Sequence, residues 1–217
     1  MKKNLLMNLL EKEAELIGAL IGDGYISLAS GKYILGFTGH PKDDKEYYNY
    51  LSNLMLDVWG KEPYKEVRFR GLRMKIYSKP ACLRLINFWG LAFGKEKSLY
   101  VVIPPRIFYE PALARAVVRG VVDTDGSVFC SKKPGIEKYP SIEITTISHK
   151  LGEQLRDLLL CWGFRVPKIR SYLSKRSKHR AYKVCLYGRR NLSRWCAEIG
   201  FSNPTKHNKA LSLLSDY

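Results

Sequence analysis

Two carboxylates in this chain stand where carboxylates are costly. Asp23 and Asp125 each close an apolar, helix-forming stretch, and each is followed by a glycine, Gly24 and Gly126. A helix C-terminus is the negative end of the backbone dipole and disfavours an anion. Bringing two such ends together adds repulsion between the acids. A divalent cation relieves both penalties. Carboxylate and last-turn carbonyl oxygens suit Mg²⁺, which keeps several waters and also contacts phosphate. The chemistry on offer is phosphodiester hydrolysis, with metal clamping the attacking and leaving oxygens. A single Asp-Gly after an apolar run is ordinarily a turn; two in long matched contexts point to function.

The matched contexts form an internal repeat. Residues 14–26 align with 116–128 at an offset of 102, pairing Gly18 with Gly120 and Asp23 with Asp125. Trp59-Gly60 returns as Trp162-Gly163 at an offset of 103, and residues 77–91 align with 187–201 at an offset of 110. The growing offset places about seven extra residues in the second copy, at the basic stretch 175–180. Each copy predicts an apolar helix, a hairpin (25–37; 128–147), an amphipathic helix (44–59; 150–162), a second hairpin and a further helix (80–89; 190–199). Residues 98–111, stiffened by Pro104-Pro105, join the copies. Gly18 and Gly22, like Gly120 and Thr124, lie four apart and so share a helix face. Small residues on one face let two helices pack closely. Gly24 and Gly126 are expected to take the left-handed conformation that ends a helix. The fold class is therefore α+β: two pseudo-symmetric αββαββα repeats, 1–108 and 109–217, packed through their apolar helices.

The chain's 217 residues carry a formal net charge of +17, with +6 up to Phe108 and +11 beyond it. A hydrophobic content of 46% is enough for a core and excludes a disordered basic tail. No apolar run approaches the roughly 18 residues that span a bilayer, and the Leu5-Leu6-Met7 stretch is too short and polar for a signal peptide. The expectation is a soluble intracellular protein of the cytoplasm or nucleoid, without a membrane, bound to a polyanion. Residues 165–194 hold eleven basic side chains and no acidic one, with Tyr172, Tyr182 and Tyr187 among them. Between Lys65 and Tyr77 the apolar Val67 and Phe69, then Met74 and Ile76, alternate with the basic Arg68 and Arg70, then Arg73 and Lys75. Lys168, Arg170 and Tyr172 alternate in the same way with their neighbours. Period-two alternation gives a sheet one apolar and one cationic face. Such a face neutralises phosphates and can reach guanine edges. Lys32, Lys132, Arg180 and Lys183 complete the set expected on DNA. The 5 cysteines and 4 histidines show no paired metal-ligand spacing, so any metal is oxygen-ligated.

Residues 16–24 and 118–126 resemble the two signature motifs of the LAGLIDADG homing endonucleases, with Ile21 and Asp123 at the variable sixth position. The resemblance covers nearly the whole chain. It implies a pseudo-symmetric monomer, needing no protein partner, whose two antiparallel sheets form a saddle on double-stranded DNA. It implies site-specific cleavage of both strands of a long asymmetric site, leaving 3′ overhangs. It assigns metal binding to Asp23 and Asp125, helped by the carbonyls of Gly22 and Thr124, with Mg²⁺ as the ion and Mn²⁺ or Ca²⁺ as substitutes for binding. The loop Gly94-Lys95-Glu96-Lys97-Ser98 resembles the family's lysine loop, making Lys97 the candidate near the cleaved phosphate. In the second copy Lys206 is the counterpart, with Lys209 as the alternative. His40, and more weakly Ser148, would position water. The lack of flanking splicing blocks suggests an intron-encoded protein. Competing readings are an intron maturase, with intron RNA as partner, and a non-catalytic DNA-binding protein on the same fold.

Overall fold

The computed structural model describes residues 2–68, 71–94, 96–175 and 177–215. The first repeat runs α1 (Lys2–Ile21), β1 (Gly24–Ala29), β2 (Lys32–Gly39), α2 (Lys45–Trp59), β3 (Tyr64–Arg68), β4 (Gly71–Tyr77) and α3 (Lys79–Leu83), which continues as a π-helical turn over Arg84–Phe88. A short α4 (Lys97–Tyr100) and a 3₁₀ turn (Pro105–Tyr109) lie in the connecting passage. The second repeat runs α5 (Pro111–Asp125), β5 (Gly126–Lys133), β6 (Ile136–Thr146), α6 (His149–Cys161), β7 (Arg170–Tyr172), β8 (Ala181–Tyr187) and α7 (Arg189–Glu198). A final helix, α8 (Pro204–Ser215), has no counterpart among the sequence expectations.

Each repeat builds one four-stranded antiparallel sheet, ordered β1-β2-β4-β3 and β5-β6-β8-β7. The pairings correspond: Gly24 faces Phe37 as Gly126 faces Ile144. The inward rows, Leu35, Phe37, Leu72, Met74 and Ile76 in one sheet and Val128, Ile142, Ile144, Val184 and Leu186 in the other, are buried against the helices. Val67 departs from this pattern at 69% exposure, because β3 is the edge strand and its inward side overhangs the core. Arg68 pairs with Gly71 and Tyr172 with Ala181, so the long connection in the second copy is 173–180, where the extra residues were expected.

The core is anchored where α1 crosses α5. A methyl group on Gly18 would overlap the Val117 carbonyl and stand 3.0 Å from the Gly120 Cα, and one on Gly120 would overlap the Glu15 carbonyl. The small-residue faces therefore meet backbone to backbone. Gly24 and Gly126 correct the expectation of left-handed helix ends. Neither has positive φ, and Gly126 sits at φ −87°, ψ 157°. α5 passes directly into β5 and α1 reaches β1 through Gly22-Asp23, and a side chain on either glycine would come within 2.5 Å of Leu20 Cα or of the Val122 carbonyl. These glycines serve close approach; the left-handed turns after α2 and α6 fall to Gly60 and Gly163.

Candidate active site and nucleic-acid face

The crossing of α1 and α5 brings the two motif ends together. A methyl on Gly22 would overlap the Thr124 hydroxyl and lie 3.2 Å from the Asp125 carboxyl carbon. Burial raises both acids above the ordinary carboxylate range. Asp125 is pushed to about 6, by burial first and then by the charge of Asp23. Asp23 is raised by burial and next by Asp44.

Two lysines close the site in matching fashion. Lys97 Nζ donates to the Leu20 carbonyl and, at 3.4 Å, to that of Ile21. Lys206 Nζ donates to the carbonyls of Val122 and Asp123 at 2.8 Å and of Thr124 at 3.0 Å. Cations belong at helix C-termini, where unpaired carbonyls gather. Burial lowers Lys97 to about 8 and lowers Lys206 as well, against the pull of Asp23 and Asp125 on both. Lys206 thus takes the place equivalent to Lys97, while Lys209 is exposed on α8. Asn203 sets it there: its Oδ1 accepts from the Thr205 and Lys206 amides, and its Nδ2 donates to the Asp123 carbonyl at 3.1 Å. Asp123 itself is buried, and its Oδ2 accepts from the Ser202 amide at 2.8 Å.

The expected water-positioning residues are placed otherwise. His40 Nδ1 accepts from the Asp43 amide at 3.3 Å and lies 3.0 Å from the Asp43 carboxylate, holding its own loop. Ser148 caps α6, accepting from the Leu151 amide and donating to the Val101 carbonyl at 2.7 Å. Asp44, at the start of α2, also acts electrostatically on Asp23 and raises it, although in the sequence it marks only a helix boundary. Its Oδ2 accepts from the His40 amide at 2.6 Å. Hairpin closure sets its position, and that is a contact across sequence which no local motif announces.

The donor set fits a divalent cation. Two desolvated carboxylates, with Asp125 raised further by the charge of Asp23, form an anionic pair that such an ion stabilises. Among the described residues no group of three or more His, Cys, Asp and Glu side chains gathers into a cage. Waters and phosphate oxygens would fill the remaining positions, as Mg²⁺-type sites allow. The Thr124 carbonyl, one expected helper, accepts from Lys206.

The outward faces of the sheets carry cations framed by aromatic rings. Arg73 is exposed on β4, and Lys75 Nζ stands 5.6 Å from the ring centres of both Tyr64 and Tyr77. In the second sheet Lys183 faces Arg170 across β7–β8, with Lys183 Nζ 5.1 Å over Tyr172 and the Arg170 guanidinium 5.7 Å over Tyr187. Lys32 is exposed at the start of β2, and Arg180 donates to Ser171 Oγ at 3.1 Å. Lys132 is exposed, but its neighbour Lys133 makes the ring contact, 4.5 Å over Tyr139. The irregularity in pairing between Ser131 and Lys133 produces that exchange. Lys168 leaves the row: it precedes β7 and lies in a cleft with Glu153 and Asp157 of α6. Arg70 and the Arg68 side chain lie outside the described residues. Among those residues no helix is long and apolar enough to cross a membrane.

Residues 112–200 match the LAGLIDADG-like domain. Over 207 residues the chain is 33% identical to the replication factor C small subunit of Methanocaldococcus jannaschii, covering 95% of this chain but only 10% of that protein. The homing endonuclease I-DmoI, in complex with DNA and Ca, superposes with a TM-score of 0.63 at 15% identity, covering 95% of this chain and 98% of that one. The I-LtrWI LAGLIDADG homing endonuclease bound to target DNA gives a TM-score of 0.60 at 11% identity, covering 94% and 90%. At such identities the likeness establishes the fold, and the second repeat carries the family's domain. Residues 112–200 carry the LAGLIDADG-like domain, and the chain as a whole takes the fold seen in the homing endonucleases I-DmoI and I-LtrWI.

Proposed function

We propose that this chain is a site-specific double-strand DNA endonuclease that hydrolyses phosphodiester bonds with a divalent metal, Mg²⁺ foremost. It acts as a monomer of two repeats, 1–108 and 109–217, on a long asymmetric site, leaving 3′ overhangs. The observation that carries this reading is the paired site itself. Asp23 and Asp125 meet at two helix ends, with Lys97 and Lys206 in equivalent places beside them. Binding alone needs cations; it gives no reason to bring two half-buried, repelling carboxylates together.

The residues divide the work. Asp23 and Asp125 would hold the metal, which supplies charge neutralisation at the phosphate and a more acidic water. Lys97, with a pKa lowered to about 8, can place a cation against charge that develops on the phosphate. Lys206 supplies the same on the other strand. The outward rows, Arg73 and Lys75 in one sheet and Arg170 and Lys183 in the other, would neutralise backbone phosphates and reach base edges.

The deciding experiment is selection of cleaved duplexes from a random library with Mg²⁺, repeated with Asp23→Asn and Asp125→Asn. Wild-type protein should linearise a plasmid bearing the selected site, and each variant should lose double-strand cleavage while still binding. Full activity in both variants would remove the acids from the mechanism.

A further inference from the structure

The two sheets match residue by residue, but their hydrogen-bonding character reverses at one matched place. Gly24 pairs with Phe37 and Phe37 with Met74, as Gly126 pairs with Ile144 and Ile144 with Val184. One position along, the outward pair is Gly36 and Lys75 in the first sheet and Glu143 and Cys185 in the second. The cause lies one strand further in. Tyr25 stands opposite Gly36, and a methyl group on Gly36 would come 2.7 Å from the Tyr25 hydroxyl, so that position is closed to a side chain and Lys75 is the charged group beside it. In the second sheet Ser127 replaces the tyrosine opposite Glu143 and leaves room for a long side chain.

Glu143 therefore sets a carboxylate within a cationic, ring-lined face. Lys183 Nζ lies 2.5 Å from its Oε1. Among the described residues Oε2 is met by the Cys185 thiol at 3.6 Å, a weak donor, so it keeps accepting capacity. A carboxylate there opposes phosphate binding, and a cationic face has no need of it for that purpose. What a carboxylate does in a major groove is accept from an exocyclic amino group, cytosine N4 above all, whereas lysine donates to guanine O6 and N7. On the first sheet the outward carboxylate is on the edge strand instead, Glu66 opposite Arg73.

We infer that Glu143 reads a base amino group, cytosine foremost, in the half-site held by the second sheet. Lys75, across from Gly36 and at the place of Cys185, donates to guanine, so the two half-sites differ in hydrogen-bond polarity at this cross-strand pair of positions. The inference rests on the DNA-endonuclease reading and specifies its substrate. Lys183 is the positioning partner that fixes one carboxylate oxygen and leaves the other for the base.

The test is selection of bound duplexes from a randomised library with Ca²⁺, using the full chain as wild type, Glu143→Gln and Lys75→Met. Glutamine both donates and accepts and pairs best with adenine. Glu143→Gln should keep overall affinity and move the preference at one position of one half-site from cytosine towards adenine, by about tenfold. Lys75→Met should lose guanine preference at one position of the first half-site and leave the other half-site unchanged. A Glu143→Gln pool identical to wild type at every position, or a uniform loss of affinity over all sequences, would reduce Glu143 to an anchor for Lys183 and overturn the inference. If Glu143→Gln does not fold, an unchanged first half-site in the Lys75→Met pool overturns it equally. A wild-type protein that enriches no duplex sinks the DNA reading itself, an outcome distinct from any of these.

Discussion

Lys97 and Lys206 occupy the same place in the two halves of the molecule, although they arrive by different routes. Lys97 opens the short α4 in the passage between repeats, and Lys206 lies in the first turn of the terminal helix α8. Each ammonium is driven into the last-turn carbonyls of a motif helix, Leu20 and Ile21 in one case, Val122, Asp123 and Thr124 in the other. Preorganised cations of this kind stabilise charge developing in a transition state, and removing one such contact typically costs a factor of about 10² to 10³. Lys97→Met and Lys206→Met should each slow cleavage by about 100-fold. Duplex binding, measured in parallel, should stay within a few-fold. A fall in affinity equal to the fall in rate would make them phosphate anchors instead.

The raised acids predict a pH dependence with a definite sign. Folded Asp125 titrates near 6, against about 3.9 for an unfolded aspartate. Between those values the folded state binds more protons than the unfolded one. Stability of the metal-free protein must then fall as pH rises from about 4 to about 6, by up to about 3 kcal/mol for this group alone. Asp23 and Asp123 are raised as well and act in the same direction. Thermal unfolding across that range should show the decline. Mg²⁺ at pH 7 should raise the melting temperature of wild type and do so far less for Asp125→Asn. That variant should also be the more stable of the two without metal.

At the helix crossing, the prediction is steric. A methyl on Gly18 meets main-chain atoms of α5, which cannot rotate aside as a flexible side chain can. Gly18→Ala should cost about 3 kcal/mol through forced separation of the helices, although alanine is the better helix former. Urea denaturation measures this directly. Gly71→Ala makes a useful contrast, since open space surrounds a methyl there.

Much of this was legible in the sequence because the repeat is. One Asp-Gly says little, but the offsets of 102, 103 and 110 fix helices, hairpins and the site of the extra residues together. Period-two alternation gave the inward Met74 and Ile76 of β4, but not Val67, where the edge strand overhangs, nor the row of Lys168, which precedes β7. What remained hidden is long-range. α8 reads as a loop because its use lies in carrying Lys206 back to α5. Asp44 reads as a helix boundary because its approach to Asp23 depends on hairpin closure. Cap chemistry misled at Gly24 and Gly126, where contact with Leu20 and Val122 outweighs turn preference.

Glu15 was equally silent, an ordinary acid within an apolar helix, and it carries the last prediction. It is 2% exposed, and it lies between the repeats. Arg119 of α5 grips its Oε2 through Nη2 at 2.5 Å and Nε at 3.0 Å, and the Tyr50 hydroxyl donates to Oε1 at 2.8 Å. Arg119 Nη1 also donates to the Ile199 carbonyl at 3.1 Å, so one guanidinium ties α1, α5 and the end of α7. Buried pairs add little over an apolar substitute, but breaking one strands a charge, at about 3–5 kcal/mol. Arg119→Met should therefore destabilise by that amount in urea unfolding. Adding Glu15→Gln to it should restore part of the loss, since the glutamine leaves no buried anion. If the double variant is as unstable as the sum of the single ones, the two side chains are not coupled and the inter-repeat clamp is held by packing alone.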